Sequence, residues 1–299
     1  MHNKEIFGFL NGLMNEVGLI KIERPRLEDK VFDDPHAHYP RIKTRKGLKK
    51  FIETLLTELD RAAITVWDKV YERVLCYQEL VYIVRNSRAY EIDDRGQVSM
   101  IRNKDKTVEV YPSQELHTSS HLHVTAEGCL NLLPNGLDPR KLIELIHQQN
   151  GIAIVEHPCT KNHPIFQFIL TNKEDDKLTK EVIEMADAVE VFNSYNTLWM
   201  FISNARAKKL TLNTETAKIA GSDIHYGNND PLTRFFYRRR IGKTGIFLPK
   251  HDLTSLTGRE IIELKRKDLK EGNYKRFETY TGPVTFFLTM LPPISYKEY

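Results

Sequence analysis

Short runs of apolar and β-branched residues alternate along the chain with longer segments of helical periodicity. In the longer segments, apolar residues recur at three- and four-residue spacing, which predicts amphipathic helices. The predicted strands are 30–32, 62–67, 107–111, 121–126, 151–156, 188–192, 218–220 and 244–248. The predicted helices are 47–59, 139–149, 178–186 and 198–207. Asp138 followed by Pro139 is typical of a capped helix start.

This alternation predicts an α/β protein with a parallel sheet. Seven or eight strand–helix units in 299 residues fit a single (β/α) barrel, and a doubly wound sheet is the alternative. Both architectures place chemistry at the carboxyl ends of the strands. We expect one domain over residues 1–299, with a helical extension at 1–30 and an insertion at 79–106, a polar stretch read as a β-hairpin.

Composition is that of a globular protein, with 40% hydrophobic and 28% charged residues. The three cysteines are widely spaced, match no zinc pattern and suit a reducing compartment. The start of the chain lacks the features of a signal peptide, and no apolar stretch approaches the ~20 residues that span a bilayer. We therefore expect a cytoplasmic protein without a membrane partner. A net charge of +4 permits an anionic substrate and does not require nucleic acid.

Histidines occur in pairs at alternate positions. The pairs His36/His38 and His121/His123 are joined by a third of the same spacing, Asp223/His225. Residues i and i+2 of a strand project from the same face, so each pair can direct two ligands to one point. His123 shares a face with His121, and we expect it to support the ligands or to face the substrate.

Two single residues complete this set. His157 follows the largely apolar run 151–156, and Glu115 follows the run 108–111. Imidazoles mixed with carboxylates suit Zn, Mn or Fe, and a carboxylate with two oxygens can bridge two metal ions. A dinuclear site of this kind would lower the pKa of a bridging water to about 7.

In order along the chain, these segments resemble the PHP (polymerase and histidinol phosphatase) superfamily of metal-dependent phosphoesterases. The match covers residues 32–225. The motifs that carry it are Asp34-Pro35-His36-Ala37-His38, Glu115 followed by His121-Leu122, the Gly151–Pro158 segment, Val189-Glu190-Val191-Phe192-Asn193 and Gly221-Ser222-Asp223-Ile224-His225.

The resemblance implies a distorted, TIM-like (β/α)7 barrel of the PHP type with two or three Zn, Mn or Fe ions at its mouth. It implies that one metal is held by His36, His38, Glu115 and Asp223. It implies a second metal held by Glu115, His121 and His157, with Glu115 as the bridge. His225 would belong to a third position, and Asp34 and Asn193 would support the ligands.

The third metal position departs from the family pattern. The family places a further histidine after the first pair, but the chain here reads Tyr39-Pro40-Arg41-Ile42-Lys43-Thr44-Arg45. The family also places Asp-His at the end of the second strand, where this chain has Val66-Trp67. Asp68 follows directly and is the candidate for a displaced ligand. We therefore predict two firmly bound metals.

Basic residues lie close to these motifs. Arg41 and Arg45 stand where the family has a metal-binding histidine, and they are predicted to bind phosphate or to belong to a solvated loop. The basic and aromatic segment Arg234–Arg240 has no assigned role, and the run Lys265–Lys270 is predicted as a solvated helix face.

The functional hypothesis is a metal-dependent hydrolase of phosphate esters, with Glu115, Asp223 and His225 as catalytic residues. Its substrate would be a phosphorylated small molecule, a nucleotide or a nucleic-acid phosphodiester. Two alternatives remain at this stage: an amidohydrolase-type C–N hydrolase on a similar barrel, and a non-catalytic binding module with a PHP-like barrel.

Overall fold

The computed structural model describes residues 14, 23–39, 45–67, 76–163, 167–170, 175–194, 198–225 and 241–279. The strands are β1 (Lys30–Asp34), β2 (Ala37–His38), β3 (Arg61–Trp67), β4 (Glu91–Asp94), β5 (Ser99–Arg102), β6 (Thr107–His117), β7 (His123–Glu127), β8 (Ile152–Val155), β9 (Thr160–His163), β10 (Gln167–Leu170), β11 (Ala188–Asn193), β12 (Ala217–Gly221), β13 (Ile224–His225), β14 (Gly245–Pro249) and β15 (Lys275–Phe277). The helices are α1 (Arg45–Glu58), α2 (Tyr77–Arg85), α3 (Pro139–Gln148), α4 (Asp175–Met185), α5 (Leu198–Leu210) and α6 (Gly258–Lys270).

Seven strand positions form a nearly closed barrel. Its order is β1 continued by β2, then β3, β6, β7, β8, β11, and β12 continued by β13. The ring closes where β13 pairs with β2, which places the backbone of His225 in register with that of His38. Because the two ends of the sheet meet, the doubly wound alternative is excluded and the distorted seven-stranded α/β barrel is confirmed.

One strand of the barrel runs against the others. β3 and β6 are parallel, as are β8, β11 and β12. β7 is antiparallel to both of its neighbours, β6 and β8, so the predicted parallel arrangement does not extend to this strand. The reason is the connection between β6 and β7, residues 118–122, which is too short for a parallel crossover of a dozen or more residues. As a result, the first residue of β7 lies at the rim where β6 ends.

The segment 79–106, predicted as an insertion, contains most of α2 and the hairpin β4–β5. β5 pairs with the first half of β6, and β7 pairs with the second half. The predicted start of the helix at Pro139 is confirmed, since the side chain of Asp138 accepts a hydrogen bond from the amide of Arg140. The proposed extension at 1–30 lies largely outside the described residues.

Helix α6 covers the end of the barrel at which the parallel strands begin. Its apolar residues Ile261 and Ile262 belong to the same buried cluster as Ile152, Ala188 and Ala217, the first residues of β8, β11 and β12. Along the part of the chain that is described, every helix is too short or too polar to span a lipid bilayer.

Lys265 on this helix corrects the interpretation of the Lys265–Lys270 run as a solvated face. Its side chain is 1% exposed, and Nζ lies 2.5 Å from Asp33 Oδ2 and 2.5 Å from Glu127 Oε1. Arg61 pairs nearby with Glu109 at 2.8 Å. The end of the barrel under α6 is therefore occupied by paired charges as well as by apolar side chains.

Candidate metal centre

The opposite end of the barrel brings together five of the side chains singled out from the sequence. Each lies within two residues of a strand end at this rim, and each is at most 4% exposed. They are His36 between β1 and β2, His38 in β2, Glu115 in β6, His157 after β8 and Asp223 between β12 and β13. Residues separated by up to 187 positions in the chain thus share one buried location.

Glu115 lies between two histidines. Its Oε2 is 3.1 Å from His38 Nε2, and its Oε1 is 3.5 Å from His157 Nε2. A carboxylate that presents its two oxygens to two separate imidazoles has the arrangement required of a bridge between two cations.

His36 and Asp223 complete the same cluster. The Nε2 atoms of His36 and His38 lie 3.3 Å apart, and His36 Nε2 lies 3.6 Å from Asp223 Oδ1. Three groups of potential ligand atoms each fall within 4.8 Å of one another: His36/His38/Asp223, His36/Glu115/His157 and His36/Glu156/Glu190. His36 is common to all three groups.

In the second histidine pair, the residue that lies in the site is not the one expected. His121 is exposed and lies in the turn before β7, with a φ of 64°. His123, the first residue of β7, is buried, and its Nδ1 hydrogen-bonds to Glu115 Oε1. The family motif suggests His121, but the chain returns to the sheet only at His123. His123, and not His121, therefore lies beside Glu115.

His117 also belongs to this region, although the sequence suggests an ordinary loop residue. It ends β6 directly opposite His123, and the two ring centroids are 4.1 Å apart. Its position two residues after Glu115 puts it on the same face of the strand, and this spacing was the signal for it in the sequence.

Two glutamates at the site were not singled out from the sequence. Glu156 Oε2 lies 2.9 Å and Glu190 Oε1 lies 3.2 Å from Nδ1 of His36. Both carboxylates are buried. Glu190 follows Ala188 and Val189 and precedes Val191 and Phe192 in β11, and Glu156 directly follows the apolar strand β8. A charged residue at an inward position of such a strand is the signal that could have found them.

The backbone at the rim is strained at two of the candidate ligands. His157 has a φ of 45° and Asp223 a φ of 46°, in the left-handed region, where such a residue costs on the order of 1–3 kcal/mol and is concentrated at functional sites. Gly221 is required for close approach, since an added Cβ would lie 2.3 Å from Glu190 Oε1 and 2.8 Å from Cβ of His36.

Electrostatics at the site follows from burial and from the alternation of imidazoles and carboxylates. Burial alone would raise the pKa of Glu115, but His123 beside it and hydrogen bonds from three histidines hold that pKa well below its usual range. Burial lowers the pKa of His36, but the surrounding carboxylates, Glu156 foremost, raise it well above the ordinary value. Burial also lowers the pKa of His157, but the hydrogen bond to Glu115 and the nearby carboxylates outweigh it and raise that pKa to about 9.

Asp34 and Asn193, expected to support the ligands, lie at the same rim. Asp34 Oδ1 accepts a hydrogen bond of 3.1 Å from the amide of Ser222, and burial raises the pKa of Asp34 to about 7. Asn193 Nδ2 donates to Asp223 Oδ2 and to Glu190 Oε2, both at 2.9 Å.

The structure describes the remaining predicted site residues only in part. Arg41 and Asp68 lie outside the described residues, as does the Arg234–Arg240 segment. Arg45 is the first residue of α1. His225 pairs through its backbone with His38.

The donor set fits divalent metal ions. Imidazole nitrogens and carboxylate oxygens are the ligands that Zn, Mn and Fe share. Buried carboxylates are costly unless a cation or a hydrogen bond compensates them, and Glu156 Oε1 has no hydrogen-bond partner among the residues that the structure describes. The fold and this cluster define a seven-stranded α/β barrel protein with a buried site that could bind divalent metals.

Comparison with known proteins yields structural similarity only. No protein-family model matches the chain, and no curated protein matches it. It is similar to the lesion-specific endonuclease PfuEndoQ from Pyrococcus furiosus, at 15% sequence identity and a TM-score of 0.49, over 89% of this chain and 67% of that one. It is also similar to Endonuclease Q in complex with a 27-mer duplex that has an abasic lesion at the active site, at 14% identity and a TM-score of 0.44. That match covers 78% of this chain and 56% of the other. Similarity at this level assigns neither activity nor substrate to this protein.

Proposed function

We propose that this protein is a metal-dependent hydrolase of phosphate esters. The observation that carries the proposal is Glu115, buried at the barrel rim with one oxygen toward His38 and the other toward His157. A bridging carboxylate between two imidazole-containing groups is the core of a dinuclear hydrolase site. The order of the motifs along the chain, which resembles that of the PHP superfamily, agrees with this proposal.

In this proposal, His36, His38 and Asp223 would hold one cation, and His157 with His123 would hold the second. Glu115 would serve both, and His123 would act in place of the His121 that the motif suggested. Bound divalent ions would supply Lewis-acid activation of a water molecule and neutralise the charge of the phosphate. Two ions are proposed, because β3 ends in Thr65-Val66-Trp67 and offers no histidine for a third.

The chain's own residues orient these groups. Asn193 holds the carboxylate of Asp223 through a hydrogen bond, and Thr160 Oγ1 lies 3.2 Å from Nδ1 of His157. With Nδ1 occupied, Nε2 of His157 is left to face Glu115. Asp223 and His225 remain the other proposed catalytic residues, and Arg41 and Arg45 remain the proposed phosphate ligands.

The substrate class is a phosphomonoester or a phosphodiester of a nucleotide or nucleic acid. The test is a screen of the purified protein, supplemented in turn with Zn, Mn or Fe(II), against an aryl phosphomonoester, an aryl phosphodiester and a short DNA oligonucleotide. An amide and a cyclic imide serve as C–N substrates. Metal content is measured in parallel by mass spectrometry of the protein and of its Glu115→Gln variant.

We expect metal-dependent cleavage of at least one phosphate ester, about two metal equivalents per chain, and loss of both activity and metal in Glu115→Gln. Cleavage of the C–N substrates alone would favour the amidohydrolase alternative. Metal uptake by Glu115→Gln equal to that of the unchanged protein, with no cleavage by either, would favour a binding module.

A further inference from the structure

The two ring nitrogens of His36 have different surroundings. Nε2 faces the cluster at the rim, where it lies 3.3 Å from His38 Nε2 and 3.6 Å from Asp223 Oδ1. Nδ1 points the other way and hydrogen-bonds to Glu190 Oε1 at 3.2 Å. Glu156 Oε2 lies 2.9 Å from the same nitrogen. The imidazole therefore separates the proposed metal ligands from a pair of carboxylates inside the barrel.

This carboxylate pair is also joined to the other side of the site. Asn193 Nδ2 donates to Glu190 Oε2 and to Asp223 Oδ2 at 2.9 Å each. Glu190 thus contacts His36 through one oxygen and, through its other oxygen and Asn193, fixes the orientation of Asp223.

Close packing leaves this arrangement little freedom. His36, Glu156, Glu190 and Asn193 are each at most 1% exposed. Gly221 allows Glu190 to reach His36, because any side chain there would meet both residues. A rotation of the His36 ring by about 180° around the Cβ–Cγ bond would put Cδ2 in place of Nδ1 and Cε1 in place of Nε2, so the hydrogen bond to Glu190 and the nitrogen at the rim would both be lost.

We propose that Glu190 and Glu156 are positioning residues that hold His36 with Nε2 toward the metals, and that Asn193 extends the same buried frame to Asp223. The inference rests on the proposed function, since it assigns a role relative to bound metals. Carboxylates that accept the second N–H of a ligating histidine fix its tautomer and orientation, and their loss costs about 10- to 100-fold in metal affinity.

A competing interpretation makes the two glutamates ligands of a further cation together with His36. That cation would have to bind Nδ1 of the same ring whose Nε2 faces the rim, so the imidazole would lose its remaining proton and bridge two metals. A hydrogen bond from Nδ1 to Glu190 requires no such deprotonation. Metal stoichiometry therefore distinguishes the two interpretations.

The test compares Glu190→Ala, Glu190→Gln and Glu156→Gln with the unchanged protein. Glu127→Gln is the matched control, because Glu127 is a buried glutamate at the opposite end of the barrel, where it contacts Lys265. For each protein, Co(II) and Zn(II) dissociation constants are measured by competition with a chromophoric chelator. The Co(II) absorption spectrum, the metal stoichiometry and the urea unfolding of the metal-free form are recorded as well.

We expect Glu190→Ala to bind the same number of metals about 10- to 100-fold more weakly, with a changed Co(II) spectrum. Glu190→Gln retains an oxygen that can accept from Nδ1, so it recovers part of the affinity. Glu156→Gln likewise binds the same number of metals more weakly, because the carboxylate beside Nδ1 of His36 is neutralised. Glu127→Gln retains the affinity of the unchanged protein.

Unaltered affinity in Glu190→Ala, Glu190→Gln and Glu156→Gln, while the unchanged protein binds metal, overturns this inference alone and leaves the proposed function intact. Loss of one whole metal equivalent in Glu190→Ala also overturns it, since the residue would then be a ligand. If Glu190→Ala does not fold, Glu190→Gln and Glu156→Gln decide by the same criteria. Absence of metal binding in the unchanged protein overturns the proposed function together with this inference.

Discussion

Replacement of Lys265 by methionine is predicted to destabilise the protein through the charges that it leaves behind. The ammonium group of Lys265 lies 2.5 Å from a carboxylate oxygen of both Asp33 and Glu127. All three side chains are at most 1% exposed. Methionine fills a similar volume, so the main change is the loss of the buried positive charge rather than the formation of a cavity.

The magnitude follows from the environment of the pair. Removing one partner of a buried ion pair costs about 3–5 kcal/mol, because the remaining charge is buried without compensation. Globular domains have about 5–15 kcal/mol of stability in total, so a large share of the free energy of unfolding would be lost.

The loss in free energy of unfolding caused by Lys265→Met should depend on pH. Burial already raises the pKa of Glu127 to about 7, against the attraction of Lys265. Without Lys265 this pKa rises further in the folded state, whereas in the unfolded state it returns to the ordinary range near 4.5. A carboxyl group whose pKa is higher in the folded state loses stability as pH rises above the unfolded pKa. The deficit of Lys265→Met is therefore smaller at pH 5 than above pH 7.

The assay is urea unfolding of the unchanged protein, of Lys265→Met and of the double variant Lys265→Met/Glu127→Gln, each at pH 5 and at pH 8. The double variant should recover a substantial part of the loss at pH 8, since one of the two stranded charges is gone. Metal content per folded chain should not change, because α6 lies at the opposite end of the barrel from the candidate metal centre. A loss at pH 8 below about 1 kcal/mol, typical of an exposed ion pair, would refute the reasoning, as would a loss of equal size at both pH values.

Three further predictions concern the candidate metal centre. His123→Asn should lower metal affinity at least about tenfold while His121→Asn leaves it unchanged, because His121 is exposed in the turn; equal effects in chelator competition would contradict the structural assignment. Gly221→Ala should weaken metal binding and lower the free energy of unfolding by about 1–3 kcal/mol, since its Cβ meets Glu190 and His36, and unchanged values in both measurements would argue against close packing at this point. The metal-free protein should lose stability as pH rises from 6.5 through about 9, where His157 releases its proton. Metal affinity should rise over the same interval because binding releases that proton; a flat melting temperature and a pH-independent dissociation constant would refute this.

Much of the barrel and part of the site could be predicted from the sequence. Apolar and polar periodicity located the strands and helices, because side chains alternate along a strand and repeat every 3.6 residues along a helix. The segments 62–67 and 188–192 were predicted within one residue of β3 and β11. Spacing of the histidines and acids at strand ends indicated which positions would meet, and the structure brings His36, His38, Glu115, His157 and Asp223 together.

Other features were decided only by the tertiary structure. The direction of β7 depends on how a short turn crosses the rim, and this direction puts His123 rather than His121 beside Glu115. In the sequence, Glu190 does not differ from any other charged residue in a strand. Only closure of the sheet brings its carboxylate to His36.

Lys265 shows the same limit at the other end of the barrel. Its sequence neighbours are typical of an exposed helix face, and only the packing of α6 over the barrel reveals its buried carboxylate partners. Local sequence determines which residues form each element, because propensity and periodicity are local properties. Which side chains meet is determined by chain direction, register and closure of the sheet, which depend on contacts between residues far apart in the chain.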